Sequence, residues 1–365
     1  YRLNFTDDLR WELNWQFRRN QTFSHEARYR LDELTDEWNA DRPLTWLPSN
    51  RILLQQALDR DNARYTDHSL REHTLGSKLH IPLKKDQHLD FDYRLTWQDE
   101  RYHTDRQRLD TVMRRRHATH NTSAQYKIGK KFRNDWSGES RLSYKYAQTA
   151  PGMDRLVPIS DTYNPLAVTQ GNPNLKDEQR HNLHLWAMLI RPYPHYVSYT
   201  FNAGASFYPH RIGMATWYDR TTGVYTYRPA NLNGNWSAYV FNDFSGRMLP
   251  ENTLYLSLST GYVYSRNVDF VQAEQADQLM RSQVSNQRIE GSAQLTYDFR
   301  RLSLGGMAEV KHRRADSRRT DFLPIRATDL TYGLNLTWRM PWELTLATDL
   351  KMYSRRGYGD ASMNT

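Results

Sequence analysis

The residues here whose types could carry chemistry are histidines and carboxylates. Thirteen histidines occur in 365 residues, and two pairs stand three apart: His117 with His120, and His181 with His184. A protein metal site needs three or four N, O or S ligands converging on one point. His181 and His184 lie in an alternating segment, where residues three apart point to opposite faces, so they do not share an ion. His117 and His120 fall in a polar stretch with no cysteine or carboxylate to complete a set. Asp90 and Asp92 share one strand face at a spacing that suits an acid and a base, but Arg94, Thr96 and Gln98 share it too, which reads as a ladder of solvated charge. The chain has no glycine-rich phosphate loop, nucleophile elbow or metalloprotease helix. No catalytic residue, no metal and no cofactor is expected.

Bulk composition narrows the class. The apolar fraction is 38% and the mean hydropathy −0.88, values usual for a soluble protein, yet 13% of residues are aromatic, with 24 Tyr and 11 Trp. A run of about 18 apolar residues, which a membrane-spanning helix needs, is absent. Strands that alternate polar and apolar residues keep average hydropathy low while one face is fully apolar, so a transmembrane barrel stays open. The net charge of +9 is spread over the chain. Its densest runs, Arg114 to Arg116, Lys130 to Arg133 and Arg313 to Arg319, read as loop or strand-end charge. Cysteine is absent, which rules out disulfides and thiolate sites. The chain begins at Tyr1, inside a strand pattern, and reads as an excised piece of something longer.

Period-two alternation supplies the elements. Tyr1, Leu3 and Phe5 turn at Thr6 to Asp8 into Leu9, Trp11, Leu13, Trp15 and Phe17. Asn20 to about Asp67 reads as a long loop with a short helix over Ile52 to Leu58. Leu75 to Leu83 pairs with Leu89 to Trp97, and a polar loop is expected from Gln98 to about His120. Ala124 to Phe132 pairs with Trp136 to Tyr146, and Gln179 to Ile190 with Val197 to Phe207, a strand expected to kink at Pro209 and continue to Tyr218. Asp219 to Asn235 reads as a loop with ragged strand ends. Trp236 to Phe244 pairs with Leu254 to Tyr264, and a polar loop then reaches Gln287. Ile289 to Phe299 pairs with Leu302 to Val310, and Leu330 to Trp338 with Trp342 to Met352.

This makes about fourteen strands, with short turns and long polar loops alternating along the chain, the connection rule of antiparallel transmembrane β-barrels. A soluble sandwich has shorter strands and mixes its connections through Greek keys. Phe5, Phe132, Trp136, Tyr193, Tyr196, Phe299, Trp338 and Trp342 gather beside the short turns, with Trp97 at the far end, as rings at a membrane interface would. The fold class is all-β, and residues 1–365 form one domain.

One stretch carries a family resemblance. The run from Tyr144 to Trp186 contains Pro158, a YNPL element (Tyr163, Asn164, Pro165, Leu166) and a GNPNL element (Gly171, Asn172, Pro173, Asn174, Leu175), followed by Lys176, Glu178 and Asn182. It resembles the late barrel segment of TonB-dependent outer-membrane receptors, and in particular the related outer-membrane β-barrel family. Lys176-Asp177-Glu178 stands where Lys-Pro-Glu is common. The resemblance implies a 22-strand type of barrel in the outer membrane of a Gram-negative bacterium, closed around an N-terminal plug that an inner-membrane energy coupler pulls. The chain then reads as a partial barrel without the plug, and its end, DASMNT, without the terminal aromatic strand. Implied partners are outer-membrane lipid and lipopolysaccharide, the TonB-type coupler through the plug, a surface lipoprotein and a small nutrient, with no nucleic acid. The signature is expected to shape backbone: Gly171 for a tight bend, Pro173 to preset φ, and Asn174 to accept the left-handed region. Trp38, Trp46, Tyr65, Arg114 and Arg116 are loop residues that could hold a ligand, and none is assigned.

Two other classes compete with uptake. One is a structural, assembly or export barrel without TonB-driven cargo, which uptake independent of the coupler would favour. The other is a soluble basic β protein that binds nucleic acid through aromatic and arginine surfaces, which solubility without detergent would favour.

Overall fold

The computed structural model describes the chain except residues 1, 5–8, 32–33, 35–49, 60–62, 85, 107–108, 133–134, 165, 193–195, 250, 252, 273–278, 320–321, 360 and 365. Eighteen strands follow in chain order: β1 Arg2–Asn4, β2 Arg10–Glu26, β3 Arg64–Lys84, β4 Gln87–Arg106, β5 Leu109–Lys131, β6 Ser137–Thr149, β7 Ser160–Asn164, β8 Ala167–Gln170, β9 Glu178–Arg191, β10 Val197–Tyr208, β11 Arg211–Tyr218, β12 Tyr225–Leu232, β13 Asn235–Met248, β14 Leu254–Gln272, β15 Leu279–Phe299, β16 Leu302–Ser317, β17 Ile325–Arg339 and β18 Thr345–Arg356. Fourteen of them form one antiparallel sheet in the order β1-β2-β3-β4-β5-β6-β9-β10-β13-β14-β15-β16-β17-β18. These are the fourteen strands the alternation marks. The other four make a small sheet, β11-β12-β8-β7, whose β12–β8 pair is parallel. Among the described residues no ladder joins β1 to β18, so the large sheet is open.

Every neighbour in the large sheet is also a neighbour among those fourteen strands in sequence, the meander of an up-and-down barrel and not a Greek key. Seven connections at one end are short, such as the two-residue turn Arg300-Arg301, in which Arg300 takes a φ of 51°. Left-handed residues also sit at Asp86, Asp135, Leu249 and Trp342 in this row of turns, as tight hairpins demand. The opposite end carries the three long connections, β2–β3, β6–β9 and β10–β13, the first of which holds helix α1 (Arg51–Gln56), capped by the Asn50 side chain accepting from the Ile52 N–H at 2.9 Å. The expected alternation of short turns and long loops does not hold throughout, since β4 and β5 meet at this end across residues 107–108 alone.

Several expected loops are strand instead. β4 and β5 run through the stretch from Gln98 to His120, β2 continues to Glu26, and β14 and β15 extend to Gln272 and back from Leu279. The arginines 114–116 lie inside β5, and 313 and 314 inside β16. A tilted strand crosses a bilayer in about 9–11 residues, whereas β5 has 23. Its upper half stands clear of the apolar band with both faces wet. Nothing there drives apolar alternation, so the pattern vanishes while the backbone ladder continues. The strand expected to run on past Pro209 to Tyr218 instead ends at Tyr208, His210 takes a φ of 55°, and Arg211–Tyr218 is β11 of the small sheet. The expected loop from Asp219 to Asn235 holds its hairpin partner β12, paired from Arg211↔Leu232 to Tyr218↔Tyr225.

The core of this molecule is not a packed interior. Few apolar side chains are buried among the described residues, and Leu334, Leu350, Phe299 and Trp338 lie open on the outer face, Leu334 at 66% exposure. The Ala293, Leu295, Gly306, Ala308, Leu334 and Leu350 positions line an apolar groove of about 550 Å3 on that face. An apolar surface of this extent needs lipid.

Candidate functional site

The YNPL and GNPNL elements lie in the connection between β6 and β9, and the structure folds that connection onto the polar face of the large sheet. Its helical turn α2, Met153–Leu156, brings Met153, Leu156 and Val157 against Tyr102 of β4, with Met113, Ile159 and Leu175 packed around them. This is the one buried apolar cluster of several residues among the described residues. It pins the GNPNL segment to β4 and β5.

Gly171 acts by close approach. A Cβ there would stand 1.7 Å from the Val157 carbonyl oxygen, and the next amide, that of Asn172, donates to the Arg155 carbonyl at 2.7 Å. The expectation for Asn174 fails: it is not among the residues with positive φ. Its N–H instead donates to Asn172 Oδ1 at 3.1 Å, an Asx turn with Pro173 exposed at its centre. Asn172 also donates its Nδ2 to the Pro229 carbonyl at 2.9 Å, tying the turn to β12. Asn164 Oδ1 accepts from the Leu166 N–H at 3.0 Å in the YNPL turn. Pro165 lies outside the described residues, and the Tyr163 side chain is likewise not described.

The chain then threads into β9 through three polar clasps. Asn231 accepts from the Lys176 N–H at 2.7 Å and donates to the Lys176 carbonyl at 2.9 Å. Asp177 takes hydrogen bonds from His117 Nε2 at 2.6 Å and from Gln148. Glu178 accepts from the Ile212 N–H at 2.6 Å. Family signature residues therefore hold the segment, the small sheet and the wall together. His117, expected in a solvated loop, is a strand residue with a carboxylate partner.

The small sheet reaches across the large one. Through Gln272 Nε2, which donates to the Tyr218 carbonyl at 3.0 Å, β11 is tied to β14, while the segment feeding β8 packs on β4. Strands six places apart in the sheet order touch the same platform, so the polar face is concave and this platform lies at its mouth. Beneath it the wall carries paired charge. Glu72 and Glu100 are 6% exposed each. Glu72 is paired with Arg18 and accepts from Gln98 Nε2 at 2.7 Å. Glu100 accepts from Arg115 Nε at 2.8 Å, and Arg115 Nη1 also donates to the Pro151 carbonyl at 2.8 Å. Buried charges survive only when paired in this way.

Two cavities open on this side. One of about 220 Å3 lies between wall and platform, with Arg64, Tyr102, Asp154, Arg155 and Thr169 around it. Another of about 420 Å3 has Arg180 and Arg211 over the Tyr208 ring, at 5.5 and 6.0 Å. Among the described residues, none of the expected ligand residues Tyr65, Arg114 and Arg116 lines either one. Arg114, Arg116 and Tyr65 have the strand parity of the outward face, and Trp38 and Trp46 lie outside the described residues. His181 packs on Tyr144 and Tyr146 and His184 bonds Asn202 at 2.8 Å, the separate faces their spacing predicts.

Similarity to known proteins agrees with this geometry. A model of the outer membrane protein beta-barrel family matches residues 121–322, more than half of the chain, from within β5 to beyond β16. No curated protein matches the sequence. The matched stretch contains the whole signature segment, the platform and the descending strand β9, and with it an outer-membrane location in Gram-negative bacteria follows from the family. The chain belongs to the outer membrane protein beta-barrel family.

Proposed function

We propose that this chain is the barrel portion of a TonB-dependent outer-membrane receptor that takes up a scarce nutrient, within a larger barrel of the 22-strand type. The observation that supports the reading most is the platform at the mouth of a polar, concave wall, with polar cavities of about 220 and 420 Å3 against it. Sites of a few hundred Å3 with a few converging polar groups suit small ligands. Arginines, tyrosine and hydroxyls around them favour a polar or anionic cargo over an apolar one. The lumen-facing charges of β3 and β4, such as Lys78, Asp90 and Asp92 near a further cavity, offer a wet surface to a plug domain, through which an energy coupler would act. A surface lipoprotein would cap the long-connection end.

The experiment is uptake in the native host. Deleting the gene should abolish growth on one limiting nutrient among iron chelates, vitamins, oligosaccharides and peptides, and deleting the coupler should give the same defect. Uptake that persists without the coupler would favour a structural, assembly or export barrel instead.

A further inference from the structure

The outward face of β2–β5, just above the apolar band, carries an arrangement that neither the mouth nor the wall explains. Register fixes the rows. Phe17, His73, Trp97 and Ala118 lie side by side across the four strands as the last row of the band. The next row on the same face is Arg19, Arg71, Asp99, Arg116, and the one above it is Gln21, Ser69, Arg101, Arg114. Two adjacent rows thus hold five arginines against one aspartate, and all six are exposed. Arg19 stands directly opposite Arg71, and Arg101 directly opposite Arg114. Like charges opposite one another on a sheet are destabilising, and among the described residues none of these five arginines has an ion-pair partner.

We infer that this face binds the phosphates of the outer-leaflet glycolipid, lipopolysaccharide, through its lipid A headgroup. Height selects the ligand. One step of two residues, roughly 7 Å along a strand, separates the arginine row from Phe17 and Trp97, the rings that mark the edge of the acyl layer. Headgroup phosphates lie at that level, with their acyl chains on the apolar row Trp15, Leu75 and Leu95 below. Arginine presents a planar fork that grips phosphate oxygens two at a time, and neighbouring strands about 4.8 Å apart let two arginines share one phosphate. The bound anion removes the repulsion within each like-charged pair. This face points away from the concave side, so the cargo path does not account for it. The inference rests on the outer-membrane location and not on coupler-driven uptake, so the two stand or fall separately.

The test uses the full chain, folded in detergent, and native mass spectrometry of retained lipid. The wild-type chain should keep bis-phosphorylated lipid A through detergent exchange, should keep chemically dephosphorylated lipid A at least tenfold less, and should not release lipid A to millimolar inorganic phosphate. The triple variant Arg71→Gln, Arg101→Gln, Arg114→Gln should lose at least tenfold of the retention, while the triple lysine variant should keep a clear part of it. Arg300→Gln, Arg301→Gln and Arg339→Gln together, at the short-turn end, should change nothing. Heat-modified gel mobility reports that each variant is folded. Equal retention by the wild type and the glutamine variant, or equal retention of dephosphorylated lipid, would overturn the inference; so would full displacement by inorganic phosphate, which would make the face a free-phosphate site.

Discussion

The upper halves of β3, β4 and β5 present two charged faces of opposite fate. On the concave side Glu72, Gln98, Glu100, Arg115 and His117 are tied to one another or to the β6–β9 connection. On the outward side, one residue over, Arg71, Arg101, Arg114 and Arg116 stand exposed. The balance of charge, and the pairing it permits, separates a face tied into the fold from one that stays open. A stretch such as RRRH at residues 114–117 therefore divides between two faces of different environment in alternate residues.

The comparison breaks most visibly at Arg115. Arg115→Ala leaves Glu100 buried without its guanidinium and should cost roughly 3–5 kcal/mol, read from denaturant unfolding followed by tryptophan fluorescence. Arg114→Ala, its outward neighbour, should stay within about 0.5 kcal/mol. Arg115→Met with Glu100→Leu should recover most of the loss, because a buried pair replaced by apolar groups is often neutral.

Gly171 supports the concave side from the connection. Gly171→Val puts side-chain atoms where the Val157 carbonyl lies, and crowding of this kind costs about 1–3 kcal/mol even in a packed core. We expect the segment to undock from Tyr102, which limited trypsin cleavage at Arg155 would show as a large gain in rate. Barrel assembly should suffer before ligand choice does.

Asp177→Ala removes one acceptor for His117 and Gln148 and should cost about 1–2 kcal/mol, with a smaller gain in cleavage at Arg155. On the outward face, Arg101→Gln should stabilise the lipid-free chain by a few tenths of a kcal/mol, since it relieves the pairing with Arg114. A loss there would show that Arg101 has a structural partner and would erase the contrast.

The smallest effect belongs to the tip of the β11–β12 hairpin. Asp219 is held below the ordinary carboxylate range, first by the Thr222 hydroxyl at 2.7 Å and then by the Thr221 N–H at 2.8 Å. A lowered pKa means that the folded turn is favoured above the ordinary value of 3.8 and that this contribution fades as the pH falls through the lowered one. Amide exchange at Thr221 should slow down accordingly at neutral pH and lose its protection in acid, with no change in overall unfolding.

What was legible in the sequence follows the lipid. Within the band one face must be apolar, so Leu89, Phe91, Tyr93, Leu95 and Trp97 alternate and all fourteen strands of the large sheet can be placed. Above the band that demand ends, and β4 beyond Gln98 looks like loop although its ladder runs on to Arg106. The small sheet escaped because β7 and β8 have five and four residues and because its β12–β8 pair is parallel across more than fifty residues, which no local pattern reports. For the site, the GNPNL stretch was located but its mechanism was not. Gly171 makes room for a carbonyl, and Asn174 serves an Asx turn instead of a left-handed residue. Arg115, Glu100 and His117 were within reach of strand parity, had the stretch from Gln98 to His120 been read as strand.

The central claim is that the short turns face the periplasm and the platform faces the outside. The chain contains no cysteine, so single cysteines can be placed without background and labelled with a membrane-impermeant maleimide. Thr221→Cys, in the β11–β12 turn, should label in intact cells. Arg301→Cys, in the β15–β16 turn, should label only after the outer membrane is permeabilised. Labelling of Arg301→Cys in intact cells with Thr221→Cys protected would contradict the account.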